Sequence, residues 1–330
     1  MSERKLATIT TILAISPIEG ADRIEVATVR GWQVVVQKGQ FKPGDLCVYC
    51  ECDSLLPLDN PHFAFLAERA GTGATHFRVR TIKLRKQISQ GIVFPIKILS
   101  EQNYTLEQDV SELLGITKYE PPVSIQLSGE IAGGFPPFFT KTDEERAQNL
   151  VTELAMFSSV PLYVTEKLDG TSVSIYKFND HFGVCSRNWE LKETDGNVYW
   201  RIARPLRDII PEGFVVQGEI VGPGVQKNPL GLSDLQLFVF KVTDLSNGTV
   251  LNFDETRTFC EDLGLTMVPI QEPYFVIGGR SIQELLNYMP ATSRLNHKAL
   301  CEGYVFRTKI HRPYFSFKLI RPEYLLKCEE

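Results

Sequence analysis

Tyr163-Val164-Thr165-Glu166-Lys167-Leu168-Asp169-Gly170-Thr171-Ser172 is a short strand running into a charged turn, with a second strand, Ser172 to Phe178, beginning at once. Taken alone, a lysine followed two residues on by a carboxylate and then by a glycine is a common tight turn between strands. Its surroundings give it meaning. Outward from it, strands are expected at Tyr163 to Thr165, His181 to Ser186, Phe214 to Val221, Gln236 to Val242, Gly303 to Thr308 and Tyr314 to Leu319. A helix is expected from Asp143 to Phe157, capped by Thr142 or Asp143. The mixture describes an α+β domain built on antiparallel sheet with flanking helices.

Upstream the pattern changes. Leu6 to Ile15, Arg23 to Val29, Trp32 to Val36, Leu46 to Cys52, Phe77 to Leu84 and Gly91 to Ile96 read as short strands. Turn formers such as Glu19-Gly20-Ala21-Asp22 and Lys42-Pro43-Gly44-Asp45 separate them. Strands of this length without a long helical pattern fit a small closed, OB-like β-barrel, an architecture that often grips nucleic acid. Within it Arg78, Arg80, Lys83, Arg85 and Lys86 place five cations in nine residues with no carboxylate among them. They form a candidate phosphate track, or a strand edge protected by positive charge. Glu107 to Leu114 looks helical, and Pro121-Pro122 and Gly133-Gly134 mark a connector. The expected division is an OB-like domain over 1–118, a linker over 119–134 and the α+β domain over 135–330.

Composition sets limits. With 330 residues the chain is long enough for two cores, and 43% hydrophobic with 23% charged residues is ordinary for a folded protein. No apolar run reaches bilayer length and the N-terminus lacks a signal-peptide core, so an intracellular, soluble protein is expected. A net charge of -5 argues against coating nucleic acid by bulk attraction, though not against a local basic track. Seven cysteines of irregular spacing do not make a disulfide framework, and Cys47, Cys50 and Cys52 read as buried thiols in a strand rather than a zinc site. The five histidines show no ligand spacing.

Downstream of Lys167 come Ser186-Arg187-Asn188, Gln217-Gly218-Glu219-Ile220-Val221-Gly222-Pro223-Gly224-Val225-Gln226-Lys227-Asn228, Phe238-Val239-Phe240, Glu302-Gly303-Tyr304-Val305-Phe306-Arg307 and Ser316-Phe317-Lys318-Leu319-Ile320. This ordered set resembles the nucleotidyltransferase motifs of covalent ligases and capping enzymes. Lys167 falls in motif I, Arg187 in Ia, Glu219 in III, Phe240 in IIIa, Glu302 in IV and Lys318 in V. DNA ligases and capping enzymes carry an OB domain after motif V, whereas here the OB-like unit comes first. That order, with Lys141-Thr142-Asp143-Glu144-Glu145-Arg146-Ala147-Gln148-Asn149 and the tail Leu319 to Lys327, is similar to the nick-sealing RNA ligases with an N-terminal OB module. One departure stands out: motif V often holds two lysines one residue apart, and Ser316 occupies the first place.

The resemblance implies an ATP-dependent RNA ligase acting in RNA repair, with Mg²⁺, for which Mn²⁺ can substitute. Its substrate would be RNA or an RNA-containing duplex with 3′-OH and 5′-phosphate ends, and the protein a monomer away from membranes. Lys167 would be the nucleophile that becomes lysyl-AMP, with Lys318 and Asp169 beside it. Glu166, Arg146, Arg187, Glu219, Phe240 and Glu302 would bind the nucleotide, and Asp169, Glu219 and Glu302 would hold the metal mostly through its water. The chemistry is consistent with those residue types: a lysine of ordinary pKa is protonated at neutral pH and needs nearby charge or desolvation to attack phosphorus, and carboxylates suit a hard octahedral cation. Phe240 offers a flat face to adenine. The rivals are a DNA ligase, a guanylyltransferase, or a nucleic-acid-binding protein with a degenerate ligase domain.

Overall fold

The computed structural model describes residues 4–100, 103–120 and 129–329. The chain divides into two compact units, Met1–Pro122 with Leu325–Glu330, and Val123–Tyr324. Residues 121–128, the middle of the expected linker 119–134, lie outside the described residues. Ile131–Gly134, at the end of that linker, is not a connector: it is a strand paired antiparallel with Trp189–Leu191.

The first unit is organised by one long strand, β1 (Ala7–Pro17), rich in the β-branched residues that favour extended backbone. Its first half pairs with β4 (Leu46–Cys50) and its second half with β2 (Ile24–Val29), which is followed by β3 (Trp32–Gln37). The exchange of partners happens at a bulge between Ile12 and Ala14, which bends the strand and leaves Leu13 exposed. After β5 (Ser54–Pro57), β6 (His76–Arg78), β7 (Thr81–Leu84) and β8 (Gln87–Gln90) comes β9 (Ile92–Pro95), which completes the sheet order β3-β2-β1-β4-β9. The ladder runs from β3 to β9, and β3 also lies against β8, where the Val35 N–H donates to the Ser89 hydroxyl at 2.9 Å, the curl expected of an OB-like barrel. The core lies on both sides of β1, around Trp32, Phe41 and Tyr49 and around Leu56, Phe63 and Phe94. Cys47 and Cys50 are buried in it and Cys52 is buried beyond the end of β4, and burial pushes the Cys47 thiol up to about 12.

Two expectations fail here for local reasons. The strand expected from Phe77 to Leu84 breaks at Val79-Arg80, because β6 pairs with β5 whereas β7 turns back on β8. The helix expected over Glu107 to Leu114 is a series of turns, with the short strand β10 (Thr117–Lys118) beyond it. Glu107 has a positive φ, Asp109 accepts from the Ser111 backbone N–H, and the Ser111 hydroxyl accepts from the backbone of Leu6 and Ala7. Such side-chain bonds compete with helix.

In the second unit β11 (Ile131–Gly134), β13 (Thr171–Phe178), β14 (His181–Cys185), β15 (Trp189–Leu191), β16 (Phe214–Val221), β17 (Gln236–Asp244) and β18 (Thr249–Val250) form a seven-stranded sheet of order β11-β15-β14-β13-β16-β17-β18. A four-stranded sheet of order β19-β12-β20-β21 combines β12 (Leu162–Lys167), β19 (Ile270–Phe275), β20 (Gly303–Thr308) and β21 (Ser316–Ile320). The ladders of both sheets are antiparallel, and β12 and β13 leave the turn at Lys167 into different sheets. Leu168, Val221, Phe238 and Val268 pack between them.

Of the helix expected over Asp143 to Phe157, Val151–Met156 is α-helical and Ala147–Asn149 is a single 3-10 turn. Residues 141–146 instead run beside β21, where the Lys318 N–H donates to the Glu145 carbonyl at 2.8 Å. Helices the sequence reading did not place are Val198–Ala203, Phe253–Leu263, Ile282–Tyr288 and Pro322–Glu329. Two of them carry capping boxes, Asn252 with Glu255 and Ser281 with Glu284, signals that were present in the sequence. No helix among the described residues is long and apolar enough to cross a membrane.

Gly91 has a φ of 98°, and a Cβ there would lie 2.3 Å from the Tyr49 ring and 2.8 Å from the Cys50 carbonyl oxygen. Gly91→Ala is expected to destabilise the first unit by roughly 1–3 kcal/mol, seen as an earlier transition in denaturant. An unchanged transition would show that the Tyr49 ring can swing aside.

Candidate active site

The turn between β12 and β13 is held by close backbone approach. A Cβ on Gly170 would sit 2.3 Å from the Ile220 carbonyl oxygen, so only glycine lets the turn press against β16. The same constraint acts at Gly303, opposite Lys167 on β20, where a Cβ would meet the Leu319 carbonyl oxygen at 2.1 Å. With both backbones in place, the Lys167 ammonium lies 2.8 Å from one carboxylate oxygen of Glu302 and 2.9 Å from the other. Glu219, across from Ser172 on β16, accepts from the Gly170 backbone N–H. Asp169 accepts from the Tyr324 hydroxyl.

One lysine among three carboxylates sets the electrostatics. Burial works against the Lys167 ammonium, but Glu302, Glu219 and Asp169 outweigh it and hold the pKa above the ordinary lysine value. Burial is also the main reason Glu219 is pushed up to about 8; Lys167 pulls it down, while Glu302 and Asp169 push it further up. Burial raises Glu302 too, against the pull of Lys167.

Beside this group lies a second one. Lys318, paired with Val305 on β20, donates to Asp143 at 2.7 Å, and Arg187 donates to the other oxygen of the same carboxylate at 2.7 Å. Arg146 bridges to Lys318 through the backbone. Burial lowers the Lys318 pKa, Asp143 opposes that shift, and Arg146 adds to it. One residue along, Glu144 holds the buried guanidinium of Arg307 at 2.9 Å and accepts from the Ser316 hydroxyl.

Phe240 owes its position to a bulge. Gly218 pairs with Val239 and Gln217 with Lys241, so Phe240 is the extra residue of β17. Strict alternation would send Phe240 and Lys241 to opposite faces; the bulge lets both serve one face. Phe240 packs against the Leu168 and Phe238 cluster with the Arg307 guanidinium 5.7 Å from its ring centre. Phe240, Lys241, Tyr163 and Arg307 line a cavity of about 300 Å³.

The structure thus gathers Lys167, Asp169, Glu219 and Glu302, with Lys318, Arg187 and Arg146 in an adjoining cluster. It does not bring the Glu166 carboxylate to Lys167: alternation along β12 turns it to the other face, where it accepts from the Arg294 backbone N–H at 2.8 Å. Burial raises its pKa, against hydrogen bonds from Ser293 and Arg294. Among the described residues no group of three or more His, Cys, Asp or Glu is arranged to enclose a metal ion directly. The carboxylates on Lys167 still suit a hard cation that keeps its water. Sequence reading missed Asp143, Glu144 and Tyr324 as site residues. The first two stood in a string read as a helix start, and Tyr324 in a tail noted only for its family likeness.

In the first unit Arg78 is committed, 2.6 Å from Asp53 and stacked 3.8 Å above the Tyr119 ring. Arg80, Lys83, Arg85 and Lys86 are exposed and make no ion pair among the described residues. Arg85 and Lys86 form the turn of the β7–β8 hairpin with φ of 48° and 68°, a left-handed conformation that Asn-Gly adopts at lower cost.

Comparison with known proteins gives these geometries a lineage. A family model described as RNA ligase matches residues 160–320, and one described as an OB-fold domain matches residues 6–96. Among solved structures, the Naegleria gruberi RNA ligase with pyrophosphate is 38% identical, with a TM-score of 0.91 and 99% of each chain covered. Variants of that ligase with AMP and manganese and with ATP and manganese are also 38% identical, each with a TM-score of 0.89 and covering 98% of this chain and 99% of theirs. No curated protein matches. The chain belongs to the RNA ligase family.

The Glu219 titration gives a test independent of activity. Because its folded pKa lies above the unfolded value, the folded state holds a proton that the unfolded state has already released, and stability is lost as pH rises through the window ending at about 8. Glu219→Gln has no such proton. Its stability relative to wild type should grow from mildly acidic pH and level off above about 8 in metal-free thermal unfolding. A difference that stays flat with pH would mean Glu219 titrates normally.

Proposed function

We propose that this RNA ligase is ATP-dependent and joins a 3′-OH RNA end to a 5′-phosphate, at nicks in duplexes, through lysyl-AMP on Lys167 and an adenylylated 5′-phosphate. The carrying observation is the Lys167 ammonium 2.8 Å from Glu302, flanked by Asp169 and Glu219, with a cluster of cations beside it. The relatives that hold ATP, AMP and pyrophosphate support the nucleotide assignment.

In the first step Lys167 Nζ attacks the α-phosphorus of ATP; the N–P bond forms and the bond to pyrophosphate breaks. As found, the carboxylates keep the lysine protonated, so it must lose a proton before it attacks. Glu302, in contact with Nζ, is the nearest acceptor. A divalent cation, when bound, supplies positive charge that offsets Asp169, Glu219 and Glu302 and neutralises the departing pyrophosphate. Phe240 takes the adenine face, while Lys318, Arg146 and Arg187 take phosphate oxygens.

In the second step an oxygen of the RNA 5′-phosphate attacks the AMP phosphorus and frees Lys167. In the third the 3′-hydroxyl attacks the activated 5′-phosphate and AMP leaves. Arg80, Lys83, Arg85 and Lys86 bind the RNA backbone, and the enzyme works as a monomer in this reading.

Incubation with Mg²⁺ and α-labelled ATP should place label on wild type and none on Lys167→Ala, with GTP giving none; label from GTP alone would point to a capping chemistry instead. For the track, the double variant Arg85→Asn, Lys86→Gly relaxes the hairpin turn yet removes two charges. It should take label from ATP but bind nicked RNA less tightly, with the log–log salt dependence shallower by roughly 2. An unchanged slope would remove these residues from the RNA contact.

A further inference from the structure

Ser316 leaves a charge missing. Family resemblance places a lysine there, two residues before Lys318, to share the grip on the nucleotide's phosphates. In its stead the Ser316 hydroxyl donates to Glu144, which also holds Arg307. Arg307 cannot stand in: it is 4% exposed, tied to Glu144 and packed over Phe240.

Across the cavity is a cation with no such commitment. Lys241, half-buried on β17, donates to the Thr140 hydroxyl at 3.1 Å and makes no ion pair among the described residues. The bulge at Phe240 puts it on the cavity wall with Phe240, Tyr163, Arg307 and Tyr314. Its cross-strand partner Gln217 is 1% exposed, and its Oε1 has no hydrogen-bond partner among the described residues. Burial lowers the Lys241 pKa, with Glu144 opposing and Arg307 reinforcing the shift. A desolvated ammonium without a carboxylate partner favours an incoming anion.

We propose that Lys241 supplies from β17 the phosphate-clamping charge that Ser316 does not, so that the ATP phosphates are gripped between Lys318 on one sheet and Lys241 on the other. The proposal rests on the adenylylation reading above. It makes this chain's clamp a pair of lysines from two facing sheets instead of two neighbours on one strand.

The test is charge relocation, read as the single-turnover rate of lysyl-AMP formation with Mg²⁺ and α-labelled ATP. Lys241→Met should slow that rate at saturating ATP by at least about tenfold. Adding Ser316→Lys to it should recover most of the loss, and Lys241→Arg should stay near wild type. A purely structural role for Lys241 would show no rescue, since a lysine on β21 cannot restore packing on β17. Either a Lys241→Met rate equal to wild type or a double variant as slow as the single one overturns the proposal. If wild type takes no label at all, the adenylylation reading fails first and the clamp with it; a labelled wild type with an indifferent Lys241 sinks the clamp alone.

Discussion

A lysine ammonium seated among three carboxylates is the interaction on which the second unit's architecture turns. It exists because two glycines allow backbone to approach backbone where any side chain would collide: Gly170 against Ile220, and Gly303 against Leu319. Those approaches set the depth of the turn between β12 and β13, and hence how near Glu219 and Glu302 come to Lys167. Even a shift of about 1 Å would weaken a charge-assisted contact of this length. The two sheets can therefore be seen as supports for one short stretch of chain, each delivering one acid to it.

Much of this was legible in the sequence, in proportion to how local each feature is. The turn at Lys167 to Gly170, the strands that flank it, and the motif order rest on near neighbours and period-two patterns. Asp143 was not legible, because its partner Lys318 is 175 residues away, and local patterning favoured a helix cap at that position. Long-range charge pairing won over helix propensity there, as Ser111 and Asp109 won over it in the first unit. The bulge at Phe240 was invisible for another reason: alternation of Phe238 and Phe240 looks the same whether or not a residue is inserted. Glu166 stands beside the nucleophile in sequence, yet strand geometry turns its carboxylate away.

The segment 140–146 gives the second unit coherence that neither sheet supplies alone. Thr140 accepts from Gln217 and Lys241, Asp143 joins Arg187 to Lys318, and Glu144 meets Arg307 and Ser316. In consecutive steps it touches the seven-stranded sheet and then the four-stranded one. A strap of this kind ties the relative setting of the two sheets to the state of the charges it carries.

Asp143 is where that tie matters most. Its two oxygens, each 2.7 Å from a cation, already pair with Lys318 and Arg187. An anionic guest that engages those cations competes with a resident carboxylate, so binding there has the character of an exchange of one anion for another and not of filling bare positive charge. Exchange flattens the energy difference between loaded and empty states. It tempers affinity for whatever arrives, and it offers the departing guest a replacement ready at hand, so that release does not strand two cations without a counter-charge. A chemistry that must take in and let go of several phosphates in succession is well served by a seat that is never vacant.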